Sequence, residues 1–446
     1  MLNQSFSAEN FRRIIDYENR KGVYLEGKYF PLVAKVTESI KKLNLEIREK
    51  KKQFGKAEFD EFKISKNAEK DRLKSEKEEK LNIELQKVSE KIVAKGFKFE
   101  LKKNESIQKK PVYTIDDTPE HYFALKQIQH NFKKLYKAKQ ASRYLIVSQV
   151  KCLLADGFPK YVIRTDIEDF YESIPQDKLL QKLSKDNLLA FLSRKIIRGM
   201  LDDYKLKSCS DKGIPRGIGA SAYLAELYMR DIDNEIKALD EVIYYARYVD
   251  DIIVVFSPSA NRIRDSLLDG IKDIFKKYFL AANLQKTEEI DLTQPQASGE
   301  IQYLGYRMIV SNGRIEVRLT DKKISKYKTR IDLAINSYVN FSKVNEKKAR
   351  KLLVKRIRFL TGNTRLQNNK KNVLVGVYHS NSLLTNVEDL KIVDNHLEDQ
   401  IVNQIKSVAL RRRLQGYRFV EGFENRRYSP FSTRELSEIV NGWNHT

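Results

Sequence analysis

The segment EVIYYARYVDDIIVVF, residues 241–256, limits the possible fold of this chain more than any other segment. It is rich in β-branched and aromatic residues, and its length fits two short strands joined by a tight turn at Val249 and Asp250. We therefore predict a β-hairpin with Asp250 and Asp251 at its tip. Two adjacent carboxylates then stand in a run of residues that otherwise reads as a buried strand.

These adjacent acids need a physical explanation. At a separation of about 4 Å and an effective dielectric constant near ~20, two like charges repel by roughly 4 kcal/mol. A bound divalent cation reverses the sign of that interaction. The alternative is an ordinary acidic turn with both side chains in solvent, and the hairpin sequence alone does not decide between the two.

A third acid favours the metal-binding explanation. The segment YVIRTDIEDFYESIP reads as a strand that ends at Asp166. One acid at the end of a strand and two at a neighbouring hairpin tip are able to hold two metal ions, which clamp the attacking and leaving oxygens of a phosphoryl transfer. Magnesium suits such a site because it shares carboxylates with substrate phosphates. Sequence spacing alone does not show that the two strands are neighbours.

Composition indicates the class of partner. The chain has 446 residues, enough for two to four folding units, and its 84 Lys and Arg against 60 Asp and Glu give a formal net charge of +24. Such a surplus favours a polyanionic partner, most simply nucleic acid. The 2 cysteines are too few for a disulfide framework or a structural zinc site. With no apolar signal core or membrane-length apolar run, we expect a cytoplasmic protein that does not enter a membrane.

Strands and helices alternate in the middle of the chain, and helices dominate both flanks. Within the middle part, the segment IQYLGYRMIV (301–310) is predicted to be one strand. Residues 45–110 form a charged insertion, in which apolar residues recur at heptad spacing and predict a helix: Leu81, Leu85, Val88 and Ile92. We interpret the insertion as a solvated helical pair packed on the body, with a partner-binding arm as the alternative. Residues 348–359 and 411–419 interleave basic with aromatic or aliphatic side chains, which suits phosphates and bases or, alternatively, a solvated basic face.

Several short segments together resemble the palm of reverse transcriptases, in the order of that family. They are DIEDFY (166–171), GIPRGIGAS (213–221), YVDD (248–251), LAANLQKTEE (280–289) and YLGY (303–306). The resemblance implies an α/β architecture with an α+β palm, in a right-hand polymerase with fingers, palm and helical thumb. It implies an N-terminal region with fingers over 1–160, which contains the 45–110 insertion, a palm over 161–310, and a thumb with C-terminal extension over 311–446.

The resemblance also implies a metal site. Asp166 and Asp250 would be the main ligands, Asp251 would complete the acidic cluster, and the backbone carbonyl of Ile167 would face a metal. The expected cofactor is two Mg²⁺ ions, with Mn²⁺ as a substitute. Lys286 has the family's place for protonating the pyrophosphate leaving group, a general-acid role, although a plain surface lysine is the alternative.

Further positions would bind nucleotide and template. Tyr171 would lie beneath the incoming sugar and crowd a 2′-hydroxyl, so deoxynucleotides are expected. Gly217, together with Gly219, would let the backbone approach template and nucleotide closely. Arg216 stands where the family usually has Gln, and Ala222 where it usually has Pro. Arg216 is charged and only donates hydrogen bonds, so it would hold a phosphate or read a base edge; a surface or ion-paired arginine is the alternative.

The remaining expectations concern the ends of the substrates. Lys139 and Arg143 in the fingers would bind the triphosphate, with chance basicity as the alternative. Leu304 and Gly305 would support the primer end, as a primer grip. His379 lacks the acid and histidine companions that a metal site needs, and we interpret it as structural.

Segments outside the palm resemble bacterial defence-associated reverse transcriptases, relatives of the abortive-infection enzymes. These segments are DYENRKGVYLEG (16–27), FYESIP (170–175), ASAYLAELYM (220–229) and FLTGNTRL (359–366). Within that group, the first subunit of the type 3 defence system is a further resemblance, and that system is understood to pair two polymerases with a small non-coding RNA. The implied partners are an RNA template, which in such a system is a dedicated non-coding RNA, the DNA product, dNTPs, and a second reverse transcriptase subunit or another copy of this chain.

Three hypotheses remain at this point. The first is a metal-dependent, RNA-directed DNA polymerase. The second keeps the same active site but makes DNA without a template or primes it on a protein hydroxyl, which Arg216 leaves open. The third is a non-catalytic RNA-binding scaffold. The set of three acids argues against the scaffold, because an idle site has no need to keep unpaired carboxylates together.

Overall fold

The structure of the protein is a computed structural model, and it describes residues 2–104, 110–137, 141–257, 259, 265–294, 296–311, 313–366 and 373–443. The chain divides into two compact units. The first unit comprises Met1–Lys139 and Tyr171–Met229, and the second comprises Gln140–Phe170 and Arg230–Thr446. This division does not test the functional boundaries expected from the sequence, which stay predictions.

Helices make up most of both flanks, as predicted. In chain order the helices are α1 (Ala8–Arg20), α2 (Leu25–Tyr29), α3 (Pro31–Lys50), α4 (Lys56–Val93), α5 (Pro119–Leu135), α6 (Arg143–Ala155), α7 (Phe170–Ser173), α8 (Gln176–Asp186), α9 (Phe191–Ser208), α10 (Ser221–Lys237), α11 (Asp265–Lys277), α12 (Asp321–Thr361), α13 (Glu388–Gln404), α14 (Val408–Gln415), α15 (Phe419–Glu424) and α16 (Thr433–Val440).

The strands form small antiparallel sheets. They are β1 (Lys102–Asn104), β2 (Val112–Thr114), β3 (Lys160–Asp166), β4 (Val242–Tyr248), β5 (Asp251–Phe256), β6 (Glu288–Leu292), β7 (Gly299–Tyr303), β8 (Tyr306–Ser311), β9 (Arg314–Leu319), β10 (Asn363–Leu366) and β11 (Val373–Gly376). The order is β4-β5-β3-β6 in one sheet and β7-β8-β9 in another, while β1 pairs with β2 and β10 with β11.

In the first unit, α3 and α4 pack along each other. The apolar heptad near the end of α4 is buried at Leu81, Leu85, Val88 and Ile92, which confirms the helix predicted there. Earlier in the same helix the apolar side chain of Ile64 is 71% exposed. The charged insertion is therefore a helical pair whose last turns dock and whose remaining length is solvated.

In the second unit, the four-stranded sheet and the three-stranded sheet share one apolar core with α6. All five residues of β5 from Ile252 to Phe256 are buried, as the apolar run predicted. The segment IQYLGYRMIV, expected as one strand, is instead the end of β7, a turn, and β8. Leu304 (φ 48°) and Gly305 (φ 77°) both adopt left-handed backbone conformations, which close a two-residue hairpin turn.

The helices after β9 enclose a separate apolar core of the second unit. Asn345 interrupts α12 with non-helical angles (φ −147°, ψ 89°), and its side chain accepts a hydrogen bond from the Lys348 N–H at 2.9 Å. The long helix is thus two segments, the second of which Asn345 caps. Among the described residues, no helix combines the length and apolarity needed to cross a membrane.

Candidate active site

The hairpin predicted from the sequence is present. β4 ends at Tyr248 and β5 begins at Asp251, with Tyr248 and Asp251 as register partners. Val249 has φ 64°, a left-handed conformation that is unfavourable for a β-branched residue. Strained backbone of this kind costs about 1–3 kcal/mol and concentrates at functional sites.

Arg247 holds this strained turn in place. Its Nη1 donates to the carbonyl oxygen of Val249 at 2.7 Å. Its Nε and Nη2 donate to the two carboxylate oxygens of Asp233 at 2.8 and 2.9 Å, a bidentate pair. The Arg247 side chain is 6% exposed, so a buried guanidinium connects α10 to the turn that carries Asp250.

The three acids lie at one end of the same sheet. β3 pairs with β5 in a register that sets Asp166 directly opposite Asp251. Directly opposed residues of antiparallel strands have Cα atoms about 4.5–5.5 Å apart. The backbone N–H of Ile167 donates to the carbonyl oxygen of Asp250 at 3.3 Å. The expectation that the strand ending in Asp166 neighbours the hairpin is confirmed.

Two basic side chains form ion pairs with the carboxylates of Asp166 and Asp251. Lys286 Nζ donates to Asp166 Oδ2 at 2.8 Å. Arg164 Nε donates to Asp251 Oδ1 at 2.8 Å, and its Nη1 donates to the carbonyl oxygen of Lys286, also at 2.8 Å. Burial raises the pKa of Asp251 to about 6, with Arg164 opposing the shift and the nearby charges of Asp166 and Asp250 adding to it.

The carboxylate oxygens of the three acids are suitable ligands for a hard divalent cation. Their side chains do not converge on one common point. Carboxylate oxygens are the ligands that Mg²⁺ prefers. Within the ranges that the structure describes, no group of three or more His, Cys, Asp or Glu side chains is placed to hold a metal ion. In the structure the carboxylate of Asp166 pairs with Lys286, and the carboxylate of Asp251 pairs with Arg164. The side-chain directions are those of an ion-paired site.

The segment that carries Lys286 is fixed against β3 by backbone hydrogen bonds. Residues Leu284–Lys286 form a single 3₁₀ turn. The N–H of Asn283 donates to the carbonyl oxygen of Asp166 at 2.7 Å, and the N–H of Glu168 donates to that of Ala281 at 2.9 Å. The Lys286 side chain stays 56% exposed while its amine reaches Asp166. The structure thus brings the predicted general acid to the first predicted metal ligand.

Arg216 makes a salt bridge within the first unit. Its Nε and Nη2 donate to the Glu172 carboxylate at 3.1 to 3.2 Å. Its guanidinium carbon lies 5.4 Å from the ring centroid of Tyr171. The Tyr171 carbonyl in turn accepts from the N–H of Ile214 at 2.7 Å. The sequence had left open whether Arg216 is ion-paired, and in the structure it is, beside the residue expected to test the sugar.

Gly217 makes a close approach to the protein's own backbone. It has φ 97°, and a Cβ atom there would lie 2.6 Å from the carbonyl oxygen of Tyr113. The N–H of Tyr113 donates to the carbonyl oxygen of Arg216 at 2.7 Å. The glycine is therefore required by packing against β2, whatever its relation to a template.

Arg143 contacts the turn between β7 and β8. Its Nε donates to the carbonyl oxygen of Leu304 at 2.7 Å, with Nη2 on the same oxygen, and its guanidinium carbon lies 5.1 Å from the Tyr306 ring centroid. Lys323 Nζ lies 4.7 Å from the same ring centroid. Burial, with repulsion from Arg143, lowers the pKa of Lys323 to about 7. Arg143 thus supports the turn at Leu304 and Gly305, and its role in binding a triphosphate stays a prediction. Lys139 lies outside the described residues.

Sequence reasoning missed the supporting residues Arg164, Arg247 and Tyr303. The Tyr303 hydroxyl donates to the carbonyl oxygen of Asp251 at 3.2 Å. A signal existed for Arg164, since it precedes Asp166 by two residues and side chains two apart share a face of a strand. Nothing in the chain order pointed to Asp233 as the partner of Arg247.

Comparison with known proteins bears on the middle of the chain. Residues 121–308 match the family model of reverse transcriptase (RNA-dependent DNA polymerase). This range contains Asp166, the hairpin acids and Lys286. The matched range is less than half of the chain, and it shows which family this middle part is similar to. A comparison with curated proteins finds no match.

Solved telomerase structures are also similar in part. Apo telomerase from Candida tropicalis truncated from the C-terminal domain is 15% identical at a TM-score of 0.35, over 51% of this chain and 56% of that chain. Apo telomerase from the same organism is 13% identical at a TM-score of 0.36, over 78% and 65%. Telomerase from Candida albicans, in complex with the TWJ fragment of telomeric RNA, is 15% identical at 0.31, over 73% and 58%. The match thus spans between half and two thirds of each telomerase.

Proposed function

We propose that this chain is a metal-dependent, RNA-directed DNA polymerase with the right-hand arrangement of fingers, palm and helical thumb. The observation that carries the proposal is the register of β3 and β5, which sets Asp166 opposite Asp251 and beside the strained turn at Val249 and Asp250. This arrangement lies inside the domain matched to reverse transcriptases. It brings together acids that are about 85 residues apart in the chain, and a two-metal phosphoryl-transfer site needs such carboxylates close in space.

In this proposal Asp166, Asp250 and Asp251 would hold two Mg²⁺ ions, with the Ile167 carbonyl as a further ligand. When bound, the ions would supply electrostatic stabilisation of the attacking and leaving oxygens. Lys286 would leave Asp166 and donate its ammonium proton to the departing pyrophosphate oxygen. Arg164 would keep Asp251 and the Lys286 backbone in place during that exchange. Tyr171 would exclude a sugar 2′-hydroxyl and so select dNTPs.

The biological setting is a second part of the proposal. The resemblance of the flanking segments supports a role in bacterial antiviral defence, with a dedicated non-coding RNA as template and a second polymerase subunit or another copy of this chain as partner. The formal charge of +24 supports binding of RNA and of the DNA product. Both cysteines are free thiols, which suits the reducing cytoplasm.

A template-independent reaction at the same site is the second candidate, and Arg216 favours it. Its pairing with Glu172 places a salt bridge where the family usually has an uncharged Gln. A fixed ion pair next to Tyr171 alters how a templating strand would be handled. Protein-primed synthesis would use the same carboxylates, with a protein hydroxyl as the first acceptor.

The test is DNA synthesis by the purified chain, supplied with dNTPs, Mg²⁺ and a primed RNA template, followed by product sequencing. We expect a product complementary to the RNA, and its loss in the double variant Asp250→Ala, Asp251→Ala. A homopolymer that persists after RNase treatment would instead establish the template-independent reaction. Absence of any metal-dependent dNTP incorporation, with the co-purifying RNA retained, would leave the non-catalytic scaffold.

A further inference from the structure

A buried arginine in the C-terminal helices of the second unit has no ion-pair partner among the residues that the structure describes. Arg356, in the second segment of α12, is 5% exposed. Every other buried charged side chain in the described part of the chain has a compensating partner. These pairs are Glu18 with Lys21, Glu26 with Lys77, Lys160 with Asp156, Asp166 with Lys286, Arg247 with Asp233, Asp389 with Arg318, and Asp394 with the N–H groups of Phe419 and Val420.

Polar and aromatic groups of the described residues contact Arg356. Its Nη1 donates to Ser337 Oγ at 2.8 Å, and its Nε has no hydrogen-bond partner in the described part of the protein. The ring of Trp443 lies 6.0 Å from its guanidinium carbon. The backbone at Gly442 packs against the guanidinium, since a Cβ atom there would lie 2.5 Å from Nη2. The guanidinium thus lies among a hydroxyl, an aromatic ring and a backbone segment.

A buried charge of this kind is costly unless something compensates it. Burial lowers the pKa of Arg356, and no acidic group opposes that shift. Arginine stays protonated in proteins, so it does not escape the cost by losing its proton. An isolated buried charge is strongly unfavourable and is normally paired. The missing partner is therefore expected to be an anion that binds.

Arg356 lines a groove that is large enough for such an anion. The cavity, of about 780 Å³, lies between the two segments of α12 and the end of the chain. Lys348, Lys351 and Lys355 line the same groove, at spacings of three and four residues that place them on one helix face. Glu438 is the acid in its lining, and its carboxylate lies 3.9 Å from Lys355 Nζ. Lys355 also pairs with Glu435, outside the lining, at 3.0 Å, so Lys348, Lys351 and Arg356 are the cations of the groove with the least acidic compensation.

The positive charge continues beyond this groove. A second cavity of about 350 Å³ shares Lys351 and Lys355 with the first. It adds three arginines to the lining: Arg350, Arg358 and Arg413. Lys348 and Lys355 alone are about 10.5 Å apart along the helix axis. A row of cations longer than one phosphate group matches a polyanion better than a single small anion.

We propose that this groove, lined by Arg356, Lys348, Lys351 and Lys355, binds the phosphate backbone of a single-stranded nucleic acid and that Arg356 takes one phosphate. The ring of Phe341, which lines the groove 5.9 Å from Lys348 Nζ, offers a surface for base stacking. The site lies outside residues 121–308 and does not depend on the carboxylates of the polymerase proposal.

The test measures binding without polymerisation. The proteins are the Asp250→Ala, Asp251→Ala background and the same background with Arg356→Met, Lys351→Met or Lys347→Met. Lys347 is exposed on the same helix segment and does not line the groove, so it is the matched control. The probe is a fluorescein-labelled homopolymeric oligoribonucleotide, titrated at several salt concentrations, with inorganic tripolyphosphate as a competitor.

We expect Arg356→Met to weaken RNA binding by about tenfold or more, as loss of a charge-assisted hydrogen bond does. The slope of log affinity against log salt falls by about 1 for each lost phosphate contact. Lys351→Met should act in the same direction, and Lys347→Met should leave both quantities unchanged. Arg356→Met should also raise the melting temperature without ligand, because it removes an uncompensated buried charge.

Two results would overturn the proposal. One is unchanged affinity and salt slope in both Arg356→Met and Lys351→Met, which would make the groove a structural feature. The other is a result in which tripolyphosphate raises the melting temperature only when Arg356 is present, while Arg356→Met leaves the RNA affinity unchanged. That result would assign the site to a free polyphosphate. Because the background lacks the hairpin acids, neither result depends on whether the chain polymerises DNA.

Discussion

Arg164 joins two parts of the candidate site through one guanidinium group. It donates to Asp251 Oδ1 at 2.8 Å and to the carbonyl oxygen of Lys286 at 2.8 Å. Asp251 begins the second strand of the hairpin, and Lys286 ends the 3₁₀ turn that reaches Asp166. One side chain thus links the segment that carries the predicted metal ligand to the segment that carries the predicted general acid.

Arg164→Ala is expected to lower the free energy of unfolding by about 1–3 kcal/mol, because the carboxylate of Asp251 loses its charged partner while it stays buried. Urea denaturation measures this change. In an Asp251→Asn background the cost of Arg164→Ala should shrink, since the charge that it compensated is gone. Arg314→Ala, at an exposed site on β9, is the control and should change stability little. Equal costs of Arg164→Ala in both backgrounds would show that the two side chains are not coupled.

The raised pKa of Asp251 predicts a pH dependence of stability. With a folded pKa of about 6 against an ordinary 3.8, the folded chain holds a proton that the unfolded chain releases across this window. Stability should therefore be lost as pH rises from about 4 to about 6, by about 3 kcal/mol at most. Urea denaturation over this range in EDTA measures it. Asp251→Asn should flatten the slope, whatever its absolute stability, and an identical slope would contradict the prediction.

Arg143→Met separates support of the β7–β8 turn from binding of a triphosphate. Because Arg143 donates to the carbonyl oxygen of Leu304, its loss should loosen the turn expected to hold the primer end. We expect a several-fold higher KM for primer–template and a nearly unchanged KM for dNTP, measured by steady-state extension. Lys139→Met is the comparison, since the sequence assigned both residues to the triphosphate. A rise in the KM for dNTP in Arg143→Met would instead support the triphosphate role predicted from the sequence.

Gly217→Ala is expected to destabilise the first unit by about 1–3 kcal/mol, because its φ of 97° is strained for alanine and its Cβ would lie 2.6 Å from the carbonyl oxygen of Tyr113. Thermal unfolding measures the loss. Gly55→Ala is the matched control, since a Cβ there meets nothing within 4 Å. Should Gly217→Ala unfold like the wild type and raise only the KM for template, the glycine would serve the template and not the packing.

Local patterns in the sequence were sufficient to predict the strands and the turn that carry the acids. The β-branched run of 241–256 predicted the hairpin and its turn, and the apolar heptad from Leu81 to Ile92 predicted the docked end of α4. These succeed because periodicity and turn position depend on neighbours within a few residues. The same reasoning read the segment around Leu304 as one strand, since alternation continues through a two-residue turn.

The tertiary structure alone decided which charges meet. Lys286 reaches Asp166, Arg216 pairs with Glu172, and Arg143 supports the turn at Leu304, across separations of 120, 44 and 161 residues. Asp251 is paired for the same reason, because the strand register brings Arg164 to it. The sequence determined which residue types are available and which of them end strands or turns. A side chain's partner depends on how distant segments pack, because a charge responds to whatever the fold brings within a few ångströms of it.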